Sequence, residues 1–187
     1  MTNGQLYARA MESRLRIIEQ VPADRWRAQT PCTEWDARQV ASHIIGENLW
    51  AGKLFQGKTV AEVGTTLEGD LTGDDPAGAY RRSVEVARNA VEAPGAMEAT
   101  CHLSFGDYSG ADYASQLFMD ILIHGWDIAK GTGLETSLDS ELVARCLPIA
   151  EAFTRQFRAA GVFGEGLPVT EDANPQTKLL ALVGRRA

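Results

Sequence analysis

Residues 113–130 read YASQLFMDILIHGWDIAK, and this stretch decides the fold. Its apolar residues recur at steps of three and four, which is the spacing of one face of a helix. They are Tyr113, Leu117, Ile121 and Ile128. Asp120 and His124 fall on the same face, because residues four apart point in nearly the same direction. We therefore predict a long core-facing helix that carries a carboxylate and an imidazole.

These two polar groups need a partner. A carboxylate and an imidazole that face a core together have a large desolvation cost unless something compensates it. A divalent metal ion is one such partner, and a hydrogen bond between Asp120 and His124 inside the core is the other. The helix alone does not distinguish the two.

The composition is that of an ordinary globular protein. The chain has 187 residues, 44% of them hydrophobic and 23% charged, so we expect a single domain over residues 1–187 with a sizeable core. Its 18 Lys and Arg against 25 Asp and Glu give a net charge of −7. This acidity argues against a nucleic-acid partner, since sequence-independent binding needs a basic surface on the phosphates.

Nothing in the sequence predicts secretion or a membrane partner. The first residues, MTNGQLYARAMESRL, lack the apolar core of a signal peptide, and no apolar run is long enough to span a bilayer. Cys32, Cys101 and Cys146 are far apart and odd in number, which fits neither a disulfide framework nor a CxxC metal site. We therefore expect a cytoplasmic protein.

A second strong helix signal begins at Asp36. Asp36 and Gln39 form a capping box, and Trp35 with Val40 occupy the two positions of a hydrophobic staple. The predicted helix runs from about Ala37 to Phe55. Residues at steps of three and four form its core-facing side, namely Val40, His43, Glu47, Trp50 and Leu54.

Further helices are predicted from apolar periodicity and from start and stop residues. One covers residues 5–21, one opens at Asp75-Pro76, one covers residues 138–160 around Pro148, and a short one lies near the end. Residues 57–75 read as a loop with a short helical turn, and residues 100–109 as a strand or extended connection. Because strands are nearly absent, we expect an all-α fold, by default a four- or five-helix bundle.

One motif is rejected on mechanical grounds. Residues 52–59, GKLFQGKT, match the phosphate-loop pattern letter for letter. That loop requires a strand before it and a helix after it, so that backbone N–H groups cradle the phosphates. Here a long amphipathic helix precedes it. We therefore interpret Lys58 as a solvated loop lysine and predict no nucleotide site.

The two polar-bearing helices define a candidate metal site. If they are neighbours in a bundle, His43 meets Asp120 and His124, and two imidazoles with one carboxylate suit Zn²⁺, and also Fe²⁺ or Ni²⁺. Three protein ligands leave a coordination position for water or substrate, as in catalytic sites. We expect His102, in the extended connection, to be exposed.

Four neighbouring residues have two readings each. Glu47 is a candidate general base or a hydrogen-bond partner of a metal ligand. It is not expected to be a fourth metal ligand, because four protein ligands would close the site to substrate. Asp127 can hold an imidazole N–H, but a salt bridge is the simpler expectation. We expect Trp50, like Trp126, to pack in the core, with lining of a ligand cleft as the alternative. For Cys32 the alternative is a reactive thiol, but the sequence identifies no neighbouring base, so we expect a buried or half-buried thiol.

Two segments resemble a known family. Residues 30–50, TPCTEWDARQVASHIIGENLW, and residues 120–133, DILIHGWDIAKGTG, are similar to the mycothiol-dependent maleylpyruvate isomerase N-terminal family of the DinB/YfiT-like superfamily. The end, PQTKLLALVGR, resembles the tail of single-domain actinobacterial metal-binding members. The resemblance implies a DinB/YfiT-like four-helix bundle with additional short helices, in which three side chains from two helices hold a divalent metal.

By position, His43, Asp120 and His124 match the ligands of the family. Asp120 stands where the isomerase has Glu, one methylene longer. The chain is also expected to lack the extra C-terminal domain of the isomerase. The resemblance therefore implies a metal-and-thiol scaffold rather than isomerisation of maleylpyruvate, because a fold does not fix a function.

Three readings of the site follow. In the first, the protein is a metal-dependent S-transferase, or a related lyase or hydrolase. The metal is Zn, with Ni or Fe as alternatives. It activates water or a thiol, which by resemblance is mycothiol, for attack on an electrophilic small molecule. Glu47 acts as the proton shuttle. In the second, a metal-containing bundle binds a small ligand or a partner without turnover. In the third, the polar groups only hydrogen-bond one another. A homodimer is compatible with each.

Overall fold

The computed structural model of the chain describes residues 1–158 and 166–187. It consists of two compact units, Met1–Glu135 and Thr136–Ala187. The single domain expected over residues 1–187 stays a prediction.

The first unit is helical apart from one β-hairpin. Its helices and strands are α1 (Asn3–Ile18), α2 (Ala37–Leu54), α3 (Val60–Val63), α4 (Pro76–Val91), β1 (Thr100–Leu103), β2 (Gly106–Ser109) and α5 (Gly110–Thr132), with a turn of 3-10 helix at Ala23–Arg25. The strands pair antiparallel, with Thr100 opposite Ser109. The all-α class is thus confirmed, and the predicted extended connection is a hairpin.

The long helices begin where side chains can accept the free N–H groups of the first turn. Thr2 and Gln5 form a capping box at α1, and Asp36 and Gln39 form the predicted one at α2. The Ser109 side chain accepts a hydrogen bond from the Asp112 backbone at the start of α5. These caps fix the ends of the two helices that carry the candidate ligands.

Four helices of the first unit pack around one core. Helix α1 lies against α4 and α5, and α2 also lies against α4 and α5. The largest fully buried side chains come from α1, α2, α4 and α5, and include Tyr7, Ile44, Tyr80, Leu117 and Trp126. As a result, His43 on α2 and Asp120 on α5 face each other.

Two sequence predictions have a direct structural outcome. Helix α1 is shifted towards the N-terminus relative to the predicted range 5–21, because Thr2 caps it and Val21 already lies in a turn. The phosphate-loop pattern lies partly inside α2, where Gly52 packs against Val86. A helix therefore occupies the position that the loop requires to be a strand.

The second unit contains α6 (Ser140–Arg158) and α7 (Pro175–Leu182), which pack together. Gln176 joins them to the preceding loop, since its side chain accepts a hydrogen bond from the Leu138 N–H at 2.8 Å and donates one to the Thr136 carbonyl at 2.9 Å. Pro148 lies inside α6. The last residues of the helix predicted for 138–160 fall outside the described residues.

None of the described helices has the length and apolar character of a membrane span.

Candidate metal centre

Helices α2 and α5 bring the three predicted ligands together. His43 Nε2 lies 3.0 Å from Asp120 Oδ2, and His124 Nε2 lies 3.5 Å from Asp120 Oδ1. One ligand atom from each residue lies within 4.8 Å of the other two. Two imidazoles and a carboxylate at this spacing fit a divalent ion of the zinc type. That they hold a metal stays a prediction.

The three side chains are only partly covered. Their exposed fractions are 25% for His43, 28% for Asp120 and 13% for His124. A fully buried set would have excluded an exogenous ligand, whereas this one can be reached from solution. The arrangement therefore meets the requirement of an open catalytic site rather than a closed structural one.

Asp127 fixes the orientation of His124. Its carboxylate is fully buried, and Oδ2 lies 3.1 Å from His124 Nδ1. An ionised carboxylate can only accept, so Nδ1 donates this hydrogen bond and the Nε2 side of the ring faces Asp120. Metal-binding histidines usually have such a partner on the other nitrogen. Of the two readings of Asp127, the one in which it holds an imidazole N–H is supported by this distance.

Two groups at the site have shifted pKa values. Burial lowers the pKa of His43, but the nearby Asp120 carboxylate outweighs it and, with Glu47, brings the pKa to about 9. Burial raises the pKa of Glu47 to about 7; Asp120 adds to this rise and His43 opposes it. Perturbed groups of this kind cluster at functional sites. Glu47 can therefore exchange a proton near neutral pH.

A cavity of about 530 Å³ opens beside His43 and Glu47. Its walls carry two indoles, Trp35 and Trp50, together with aliphatic and charged side chains from α2 and from residues 67–71. A volume of this size accommodates a small molecule. The candidate ligands and a small-molecule cleft are thus adjacent.

The model of the family described as the mycothiol maleylpyruvate isomerase N-terminal domain matches residues 7–129. This chain belongs to that family. Two uncharacterized proteins of Mycobacterium tuberculosis are similar to it, each 30% identical over 181 residues, which cover 96% of this chain and 95% of each relative. The resemblance noted in the sequence is confirmed.

Solved structures of the isomerase share the fold. The crystal structures of the mycothiol-dependent maleylpyruvate isomerase and of a histidine-to-alanine mutant match with TM-scores of 0.63 and 0.62. Each match covers 88% of this chain and 73% of the other, with 15% and 14% sequence identity respectively. The helical fold predicted from the family resemblance is therefore confirmed.

Within this family fold, Trp35 does more than staple α2. Its ring centroid lies 5.0 Å from that of His43 and 5.8 Å from that of His124. Trp50 lines the cavity, which was the alternative to core packing, whereas Trp126 is fully buried as expected. Trp35, next to the helix cap, is therefore the tryptophan whose ring lies against two of the candidate ligands.

Cys32 lies close to His124 and Asp127, which the sequence did not reveal. One ligand atom of each of Cys32, His124 and Asp127 lies within 4.8 Å of the other two. Because Cys32 is far from α5 in the sequence, only the fold could show this. His102 belongs to neither group of candidate ligands among the described residues, and its Nδ1 lies 2.7 Å from Asp107 on the hairpin.

Proposed function

We propose that this protein is a metal-dependent S-transferase that joins a low-molecular-weight thiol to an electrophilic small molecule. Its family and the similar isomerase structures point to mycothiol as the thiol. The observation that best supports the proposal is the convergence of His43, Asp120 and His124 beside an open cavity. In the proposed step the sulfur of the ionised thiol adds to a C=C bond of the electrophile, so that an S–C bond forms and the π pair moves to the neighbouring carbon. The proton of the broken S–H bond passes to Glu47, and the neighbouring carbon takes up one proton, so that no other group leaves.

His43, Asp120 and His124 would hold the ion, and Asp127 would keep His124 oriented through Nδ1. A bound divalent ion supplies the Lewis acidity that keeps a thiol ionised, or makes water a nucleophile, near neutral pH. All three side chains are partly exposed, so the ion would be accessible from solution, and His43 also lines the cavity. Zinc suits the donor set best, with Ni²⁺ and Fe²⁺ as the other candidates.

Glu47 is the proposed proton acceptor. It lies one helical turn beyond His43 on α2 and faces the same cavity. Its pKa of about 7 suits a group that takes a proton from a thiol and passes it to solvent or product. His43, with its higher pKa, is less suited because it pairs with Asp120.

Metal content of the purified, untagged protein tests the proposal. The wild-type protein should contain a near-stoichiometric divalent ion, and His43→Ala and Asp120→Ala should lose it. His102→Ala is the matched control, since it removes a histidine outside the site, and should retain the ion. A wild-type protein that binds no ion after reconstitution with Zn²⁺, Ni²⁺ or Fe²⁺ would contradict the proposal.

A further inference from the structure

A second group of potential metal ligands lies around the other nitrogen of His124. One ligand atom of each of Cys32, His124 and Asp127 lies within 4.8 Å of the other two. Asp127 Oδ2 lies 3.1 Å from Nδ1 of His124, whereas Nε2 of the same ring faces Asp120 at 3.5 Å. A sulfur, a nitrogen and an oxygen donor therefore converge in a group that contains neither His43 nor Asp120.

The spacing of these donors suits a single ion. Two nitrogen or oxygen ligands of a tetrahedral zinc-sized ion lie about 3.3–3.6 Å apart, and a thiolate lies slightly farther from each. The 3.1 Å between Asp127 Oδ2 and His124 Nδ1 is close to this separation. The Asp127 side chain is also fully buried, and a bound cation compensates the desolvation cost of a buried carboxylate.

The loop that carries Cys32 is held against α5. Gly131, in the last turn of α5, permits this contact, because a Cβ there would lie 2.6 Å from the Gln29 carbonyl oxygen. The Thr30 hydroxyl accepts a hydrogen bond from the Cys32 N–H at 3.2 Å and donates one to the Trp35 carbonyl at 2.8 Å. The Cys32 side chain is thus positioned by its own loop, and it stays half-exposed, so that an ion can reach it from solution.

We propose that Cys32, Asp127 and Nδ1 of His124 form a second cation site, selective for thiophilic divalent ions such as Cd²⁺. A thiolate is a soft ligand, and the group around Asp120 contains none, so a softer ion favours the group with Cys32. The thiolate is the form that binds a metal, and the thiol proton of Cys32 is released to solvent when the ion binds.

The two sites share one imidazole. A neutral imidazole carries a proton on one nitrogen and a lone pair on the other. An ion on Nδ1 leaves the proton on Nε2, which faces Asp120, and an ion on Nε2 leaves the proton on Nδ1, which faces Asp127. The neutral ring therefore serves one ion at a time, and a thiophilic ion at Nδ1 withdraws His124 from the first predicted site.

Titration of the purified, chelator-treated full-length protein with Cd²⁺ tests the second site. Coordination of Cd²⁺ by a thiolate produces a charge-transfer band in the ultraviolet, and calorimetry of the same samples gives the affinity. We expect the band in the wild type and its loss in Cys32→Ser. Asp127→Asn should weaken this binding by about tenfold or more. A wild type without the band, a band that survives Cys32→Ser, or an unchanged affinity in Asp127→Asn overturns the inference.

Two control variants locate the bound ion. His43→Ala removes a ligand of the first predicted site only and should retain the band, since His43 does not belong to the group with Cys32. Cys146→Ser removes a buried thiol of the second unit and should also retain it. Loss of the band in His43→Ala places Cd²⁺ in the first site, and its loss in Cys146→Ser assigns the thiolate to another cysteine. Either result overturns the inference.

The zinc content of the same proteins separates this inference from the proposed function. Cd²⁺ binding that depends on Cys32, in a protein that holds no ion at His43 and Asp120, supports the second site and contradicts the S-transferase proposal. Zinc held by His43 and Asp120, without Cd²⁺ binding that depends on Cys32, overturns the second site and leaves the S-transferase proposal intact. Zinc that remains in His43→Ala and disappears when Cys32→Ser is added belongs to the second site and supports it.

Discussion

The fully buried carboxylate of Asp127 accepts a hydrogen bond from Nδ1 of His124, with 3.1 Å between the two atoms. This contact fixes both the ring orientation and the tautomer, so that Nε2 faces Asp120. Residues in this position behind a metal ligand typically change metal affinity by about 10- to 100-fold when substituted. We therefore expect metal binding at the predicted site to depend on Asp127 as well as on the three predicted ligands.

We expect Asp127→Asn to weaken zinc binding within that range, because an amide is a poorer acceptor and can stabilise the wrong tautomer. Competition with a chelator of known affinity measures the change. Asp107→Asn is the matched control, since Asp107 makes the equivalent contact with His102 on the hairpin, away from the site. Unchanged affinity in Asp127→Asn would show that the contact has no part in metal binding.

Gly125→Ala should destabilise the first unit. A Cβ at Gly125 would lie 2.4 Å from Cγ and Cδ of Arg14, whose side chain is only 3% exposed and cannot swing into solvent. Alanine gains about 1 kcal/mol in a helix interior over glycine, but overpacking a core costs about 1–3 kcal/mol. We expect a net loss of up to about 2 kcal/mol.

Urea denaturation measures this loss in free energy of unfolding. Glu85→Ala, on the exposed side of α4, is the control and should stay within about 0.5 kcal/mol of wild type. Equal or higher stability of Gly125→Ala would mean that Arg14 can move aside, and that the close approach of α1 and α5 at this point is not needed.

The sequence was sufficient to predict the long helices and to place His43, Asp120 and His124 on their core-facing sides, because both follow from local periodicity and caps. Asp36 with Gln39 marked the start of α2, and the spacing of Asp120 and His124 put both on one face of α5. The position of Cys32 beside His124, and the pairing of Arg38 with Asp70, depend on loop conformations that no periodicity encodes. Those contacts required the fold.

Cys32 should be the cysteine that reacts first with an alkylating reagent. It is half-exposed, whereas Cys101 and Cys146 are buried, and burial raises the pKa of their thiols to about 11 and about 12. Only the thiolate reacts, so the two buried thiols should stay unmodified near neutral pH.

Mass spectrometry after brief treatment with iodoacetamide measures the modification. We expect one adduct, on Cys32, for the native protein and three after unfolding in urea. Cys32→Ser should abolish the native adduct. Rapid modification of Cys101 or Cys146 under native conditions would contradict the burial described for these two residues.

Glu47→Gln separates binding from catalysis at the proposed site. The amide keeps the size of the side chain but cannot accept the thiol proton, so S-transfer should fall by about 100-fold or more. Metal content should remain near the wild-type value, because Glu47 is not one of the three ligands. Gln39→Glu is the matched control, because it adds a carboxylate to the same cavity wall where Glu47→Gln removes one. The Gln39 side chain accepts a hydrogen bond from the Asp36 backbone, and we expect Gln39→Glu to leave proton transfer intact. Loss of the metal in Glu47→Gln would instead identify Glu47 as a fourth ligand and favour a site without turnover.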